Sequence, residues 1–167
     1  MKLLSVLDET FQKIIKEVRK PKSHTFAEKF EDYIRLSIFT DECYHLVERM
    51  HNYSHNSKNF VESSLKPDFK FRDRITKREF YVEAKFRSVS FNKITWCTDK
   101  QLKRYTIYNN DAPVFLFLGL GGAPDEPEQV ALIPLSAAKY TSLYPSYVAK
   151  FEIHAHMPVQ SHVLWER

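Results

Sequence analysis

Residues 67–86 read PDFKFRDRITKREFYVEAKF, and three of them have the chemistry to work together. Side chains in a strand alternate between faces. In FYVEAKF, Phe80, Val82, Ala84 and Phe86 therefore form an apolar face, while Tyr81, Glu83 and Lys85 share the other. A hairpin turn centred between Ile75 and Thr76 sets Asp68 directly across from Glu83, with Cβ atoms roughly 5 Å apart. The loop DRITKR has no Asn-Gly or Asp-Gly to pin that register, so a slip of one residue stays open.

Two carboxylates that close repel each other, and at least one pKa rises unless a cation sits between them. A divalent ion with oxygen ligands resolves the conflict; Mg²⁺ is the hard ion such ligands suit, with Mn²⁺ as its substitute. Lys85, one position along the same face, can orient or activate a water, or stabilise charge at a phosphate. On its own, Glu-x-Lys on a strand is a common surface pattern.

The wider pattern narrows the choice. Pro67-Asp68, fourteen intervening residues, then Glu83-Ala84-Lys85 resembles the signature of the PD-(D/E)xK nuclease superfamily. Farther on, Gln101-Leu102-Lys103-Arg104-Tyr105 is similar to the Gln-x-x-x-Tyr motif of one exonuclease branch. Gln101 and Tyr105, four apart, share a helical face.

The resemblance covers about residues 25–120 and implies a restriction-endonuclease-like core within a single domain spanning 1–167. It implies Asp68 and Glu83 as metal ligands, with the backbone carbonyl of Ala84 as a third, and Lys85 acting on the attacking water. Gln101 and Tyr105 would orient the lysine or contact the DNA backbone. Such nucleases also use a glutamate from the first core helix; Glu31 is the choice here and Glu28 its rival. The reaction implied is phosphodiester hydrolysis in DNA, with RNA not excluded, by a chain acting alone, as a homodimer or in a larger assembly. Candidate cations for the nucleic-acid backbone are Arg72, Arg87, Lys93, Lys103 and Arg104, with Arg74, Lys77 and Arg78 beside them.

Charge supports a phosphate partner. Lys66–Arg104 holds 12 Lys/Arg against 5 Asp/Glu, a balance of +7, whereas the remainder holds 13 basic and 16 acidic residues, or −3. Positive charge is thus concentrated around the hairpin. Three glycines leave GLGG (119–122) as the sole phosphate-loop candidate; its spacing fails that test, and it reads as a strand-ending turn. Two cysteines are too few for a disulfide scaffold, no signal peptide opens the chain, and the longest apolar run is about half a membrane span. These point to a cytoplasmic setting without a membrane partner.

The elements that must position the hairpin follow from periodicity. LLSVLDETFQKIIKEV and SHTFAEKFEDYIRLSIF read as helices, the second capped by Ser23 or Thr25, with a stripe of Phe26, Phe30, Tyr33, Ile34 and Ile38. CYHLVERM reads as a strand, MHNYSHNSKN as a loop, DFKFRD and EFYVEAKF as strands, and TDKQLKRYTIYNN as a helix. APVFLFLGL is a central strand covered on both faces; GGAPDEPEQ is a turn and VALIPL another strand. SAAKYTSLYPSYV is short helix or turn and KFEIHAH a final strand. The expected fold is α/β, a central mixed β-sheet flanked by helices, with helices at the N-terminus.

Three other features have bland readings. His51 and His55 are four apart, but their segment reads as a loop; His154 and His156 lack an evident third ligand. Trp96 and the tyrosines at 105, 108, 140, 144 and 147 could stack on bases, yet tyrosines at such spacing more often line a packing face. Cys97 has no histidine near it in sequence to activate it.

Overall fold

The computed structural model describes residues 22–50, 66–88 and 92–167. The predicted first helix and the MHNYSHNSKN loop after Met50, with His51 and His55, lie outside them. Helix α1 spans Lys22–Tyr33, so Ser23 and Thr25 fall inside it rather than at its cap. It continues as one wide turn, Ile34–Ile38, in which the Phe39 N–H reaches back five residues to the Ile34 carbonyl at 2.8 Å. The stripe Phe30, Tyr33, Ile34 and Ile38 is buried as its spacing predicts, but Phe26 is half exposed.

Strand β1 (Tyr44–Arg49) pairs antiparallel with β2 (Phe69–Asp73), and β2 with β3 (Glu79–Arg87). After the two-residue strand β4 (Ile94–Thr95), helix α2 (Asp99–Asp111) returns the chain to β5 (Val114–Ala123), which lies parallel to β3. Strands β6 (Glu126–Pro134) and β8 (Glu152–Ile153) complete a mixed six-stranded sheet of order β1-β2-β3-β5-β6-β8. The predicted α/β class therefore holds.

Four details differ from expectation. GGAPDEPEQ is mostly strand, because β5 and β6 run on to a tight turn between Ala123 and Glu126. KFEIHAH yields only two strand residues, and His154 and His156 are exposed beyond them. SAAKYTSLYPSYV holds a short strand β7 (Ser142–Leu143), which pairs with β4, and a four-residue helix α3 (Pro145–Val148). A last helix, α4 (Ser161–Trp165), has too short an apolar pattern to be visible in sequence. Among the described residues no helix is long and apolar enough to cross a membrane.

The sheet is covered on both sides, as the continuous apolar run of β5 requires. Phe69, Phe71, Phe80, Val82, Phe115 and Phe117 face α1, its wide turn and α4. Tyr81, Val114, Leu116 and Leu118 face Trp96, Cys97, α2 and the 135–148 segment.

Gly119 joins the first layer to the candidate chemistry. A Cβ there would stand 2.5 Å from the Phe30 ring, which Phe86 and Phe117 hold at centroid distances of 5.6 and 5.7 Å. That close approach explains the glycine better than the turn expected for GLGG. Gly119→Ala is expected to cost about 1–3 kcal/mol by overpacking, read as a lower melting temperature. It should also push out the helix that carries Glu31.

Candidate active site

The hairpin register is the expected one. Phe69 pairs with Val82 and Phe71 with Phe80, which carries Asp68 opposite Glu83. Without an Asn-Gly turn, two other features pin it. Asp73 Oδ1 accepts from the Ile75 N–H at 2.8 Å, and Lys77 takes the left-handed conformation at φ 61°. Regular pairing of β2 with β3 stops at Phe69. There Asp68 takes over with its side chain, its Oδ2 accepting from the Ala84 N–H at 2.8 Å. The Asp68 carbonyl meanwhile accepts from Met50 N–H at 2.8 Å, so its backbone is fixed by the end of β1. Within an antiparallel ladder a residue's N–H and C=O point to the same neighbour, so the Ala84 carbonyl also faces the gap where β2 ends.

Glu83 is buried, and its Oε1 lies 2.5 Å from the Lys85 ammonium. Lys85 keeps a fifth of its side chain exposed and, with Asp68, Glu31, Phe30, Phe86 and Arg87, lines a cleft of about 350 Å³. Glu31 enters from α1, where it is held by Arg49 at the end of β1. Arg49 Nη2 is 3.1 Å from Glu31 and Nη1 is 2.9 Å from Asp32. This clamp was not visible in sequence, because a bulge between Leu46 and Glu48 sets which β1 residues meet β2.

These groups feel one another. Burial and the neighbouring Glu83 carboxylate push the Asp68 pKa well above the usual range, and Glu31 adds to the rise; Lys85 and the Ala84 N–H oppose it. Burial likewise raises Glu31, with Arg49 opposing. Burial of Lys85 favours its neutral amine, but Glu83 and Asp68 outweigh that and hold it above the ordinary lysine value. Three carboxylates, from Asp68, Glu83 and Glu31, thus crowd around Lys85, with Arg49 and Arg87 at the edges.

The crowding of carboxylates and the hard-oxygen donor set fit a divalent cation held by Asp68, Glu83 and the Ala84 carbonyl. Among the described residues no three His, Cys, Asp or Glu side chains are grouped to hold a metal unaided. For such an ion, backbone oxygen and water would complete the shell, as Mg²⁺ commonly requires.

The remaining predicted residues separate. Tyr105 is buried, stacked on Trp96 at 5.9 Å, and its hydroxyl faces Glu83. Burial and then the Glu83 carboxylate raise its pKa strongly. It can hold Glu83 in place, but it cannot touch DNA as the motif would allow. Gln101 is occupied at the start of α2, where its Oε1 accepts from the Thr98 N–H at 2.9 Å in a reciprocal capping box. This oxygen serves the helix end, which leaves the amide nitrogen of Gln101 for the expected role toward Lys85 or the DNA backbone.

Arg87 lines the cleft, its guanidinium donating to the Thr95 carbonyl at 2.9 Å. Lys93 is exposed, with its ammonium 4.9 Å from the Tyr144 ring centre. Lys103 borders a separate open groove with Lys139 and Ser136, and Arg104 is half-buried on α2. Arg72 sits away from the cleft. It lies four residues along β2 from Asp68, about 13 Å at the rise of a strand, and is paired to Glu79 at 2.6 Å. Arg74 and Arg78 belong to the same distant turn, bonded to the Asp41 carbonyl and stacked on Trp165. Cys97 is buried and its thiol is pushed up to about 12, chiefly by burial, which makes it a poor nucleophile.

No family model matches the chain, and no curated protein matches it.

Proposed function

We propose that the chain is a metal-dependent nuclease of the PD-(D/E)xK type that hydrolyses phosphodiester bonds in DNA. One observation carries the reading: Asp68, Lys85 and Glu31 converge on one cleft, with Glu83 directly beneath Lys85. The restriction-endonuclease-like core is supported by the order of elements, an N-terminal helix, an antiparallel hairpin bearing the acids, then a helix leading to a parallel strand.

Asp68, Glu83 and the Ala84 carbonyl would hold a Mg²⁺ or Mn²⁺ ion. When bound, such an ion offsets phosphate charge and lowers the pKa of a water. The chain's own groups then have distinct tasks. Asp68 is locked by the Ala84 N–H, so its second oxygen is presented at a fixed angle. Lys85, cationic beside two carboxylates, orients a water at the scissile phosphate or donates to the oxygen on which charge builds. Tyr105 keeps Glu83 aligned from behind, and Arg49 keeps Glu31 at the cleft wall. Arg87 gives the nearest positive charge for the DNA backbone.

A second reading is a nucleic-acid-binding module that retains the fold without catalysis. It is favoured by the close Glu83–Lys85 contact, which occupies one ligand oxygen. Incubation with duplex, single-stranded and branched DNA in Mg²⁺ or Mn²⁺ separates the two. Cleavage that disappears in Asp68→Ala supports the nuclease; salt-sensitive DNA binding without cleavage or ion uptake supports the module.

A further inference from the structure

The tyrosines of the C-terminal half divide into two groups. Tyr105 and Trp96 are buried against each other, and Tyr147 is half-buried beside Phe151. Tyr140 and Tyr144 instead stand 74% and 58% exposed, which a packing role does not explain. Their backbone is nonetheless firmly held. The Tyr140 carbonyl accepts from the Trp96 indole N–H at 2.7 Å, and the Tyr144 carbonyl accepts from the Tyr147 and Val148 N–H groups. Strand β7 between them is paired with β4. Two aromatic rings are therefore presented to solvent on a rigid base.

This surface adjoins the cleft. The Arg87 guanidinium, at the cleft wall, donates to the carbonyls of Thr95 and Trp96, and Trp96 in turn bonds to Tyr140. Residues 84–98, which link the cleft to this surface, hold Lys85, Arg87 and Lys93 and no Asp or Glu. Lys93 lies over the Tyr144 ring.

We propose that Tyr140, Tyr144 and Lys93 form a binding surface for single-stranded DNA, a specificity that rests on the nuclease reading of the adjoining cleft. A cation beside exposed rings suits a flexible strand, because the lysine meets phosphate while the rings stack on bases. Duplex DNA hides its base faces and could use only the lysine. The substrate is then a strand with unpaired bases next to the phosphate in the cleft, such as a single-stranded end, flap or gap.

Binding of labelled oligothymidylate of about 20 nucleotides, followed by anisotropy in EDTA, tests the proposal without any cleavage. The full chain is compared with Tyr140→Ala, Tyr144→Ala and their Phe counterparts. Each alanine change should weaken single-strand binding by about five- to a hundredfold, with duplex binding within about twofold. Each Phe change should restore binding, since the ring is retained. Equal affinity of the parent for both DNA forms, or alanine variants that bind single strands normally, would overturn it. A chain that binds in this way yet never cleaves would remove the nuclease reading and leave the binding surface standing.

Discussion

Glu83→Gln is expected to lower Mg²⁺-dependent DNA cleavage by about two to four orders of magnitude while leaving the protein folded. The side chain keeps its volume and can still accept from Lys85, so the packing beneath the cleft is preserved. What disappears is one of two carboxylates that would ligate the ion, together with the charge that keeps Lys85 protonated. Lys85→Ala should cause a comparable loss of activity, but its stability cost is higher. It leaves buried Glu83 without its 2.5 Å partner, and stripping a buried pair of one member costs about 3–5 kcal/mol. Initial rates are therefore to be measured beside thermal melts. A Glu83→Gln variant that cuts at the parental rate contradicts the assignment.

The second large effect concerns stability and acid. Asp73 is fully buried at the far end of the hairpin. Its carboxylate accepts from the Ile75 N–H, the Thr76 hydroxyl at 3.0 Å, the Ser161 hydroxyl and the Trp165 indole N–H at 2.6 Å. One side chain thus closes the turn that sets the hairpin register and fastens α4 to the sheet. Burial alone would raise its pKa, but the hydrogen bonds from Ser161, Trp165, Ile75 and Thr76 prevail and hold it at about 2. A pKa lowered on folding stabilises the native state above the unfolded value of 3.8, and that contribution fades as pH falls towards 2. The gap corresponds to about 2 kcal/mol. Asp73→Asn should therefore melt lower than the parent at neutral pH, and the difference should shrink between about pH 4 and pH 2. Asp73→Ala, which strands several buried donors, should cost about 3 kcal/mol or more. A constant difference between parent and Asp73→Asn down to pH 2 would show that the carboxylate charge is not what matters.

The hairpin was legible because strand alternation and a central turn determine which side chains meet, and both are local. Asp68, Glu83 and Lys85 could be placed by counting along EFYVEAKF, and β5 by its unbroken apolar run. Tyr105 was found for a reason that proved partial, since periodicity gives the face of a helix but not what covers that face. Gln101 shows the opposite limit: a side chain three residues after Thr98 is also a capping residue, and the cap took its oxygen. Arg49 could not be found, because its aim at Glu31 depends on a bulge and on packing between distant segments. Arg72 was included on charge alone, without regard to the end of the strand on which it sits. The exposure of Tyr140 and Tyr144 likewise depends on the β4–β7 pairing, which joins residues far apart in the chain.

Calorimetric titration of Mn²⁺ into the parent and into Asp68→Asn tests the central claim most directly, because it needs neither substrate nor turnover. The paired carboxylates predict saturable uptake of the ion by the parent and its loss in the variant. Parent protein that takes up no ion, or a variant that takes it up equally well, would contradict a metal site at the end of this hairpin.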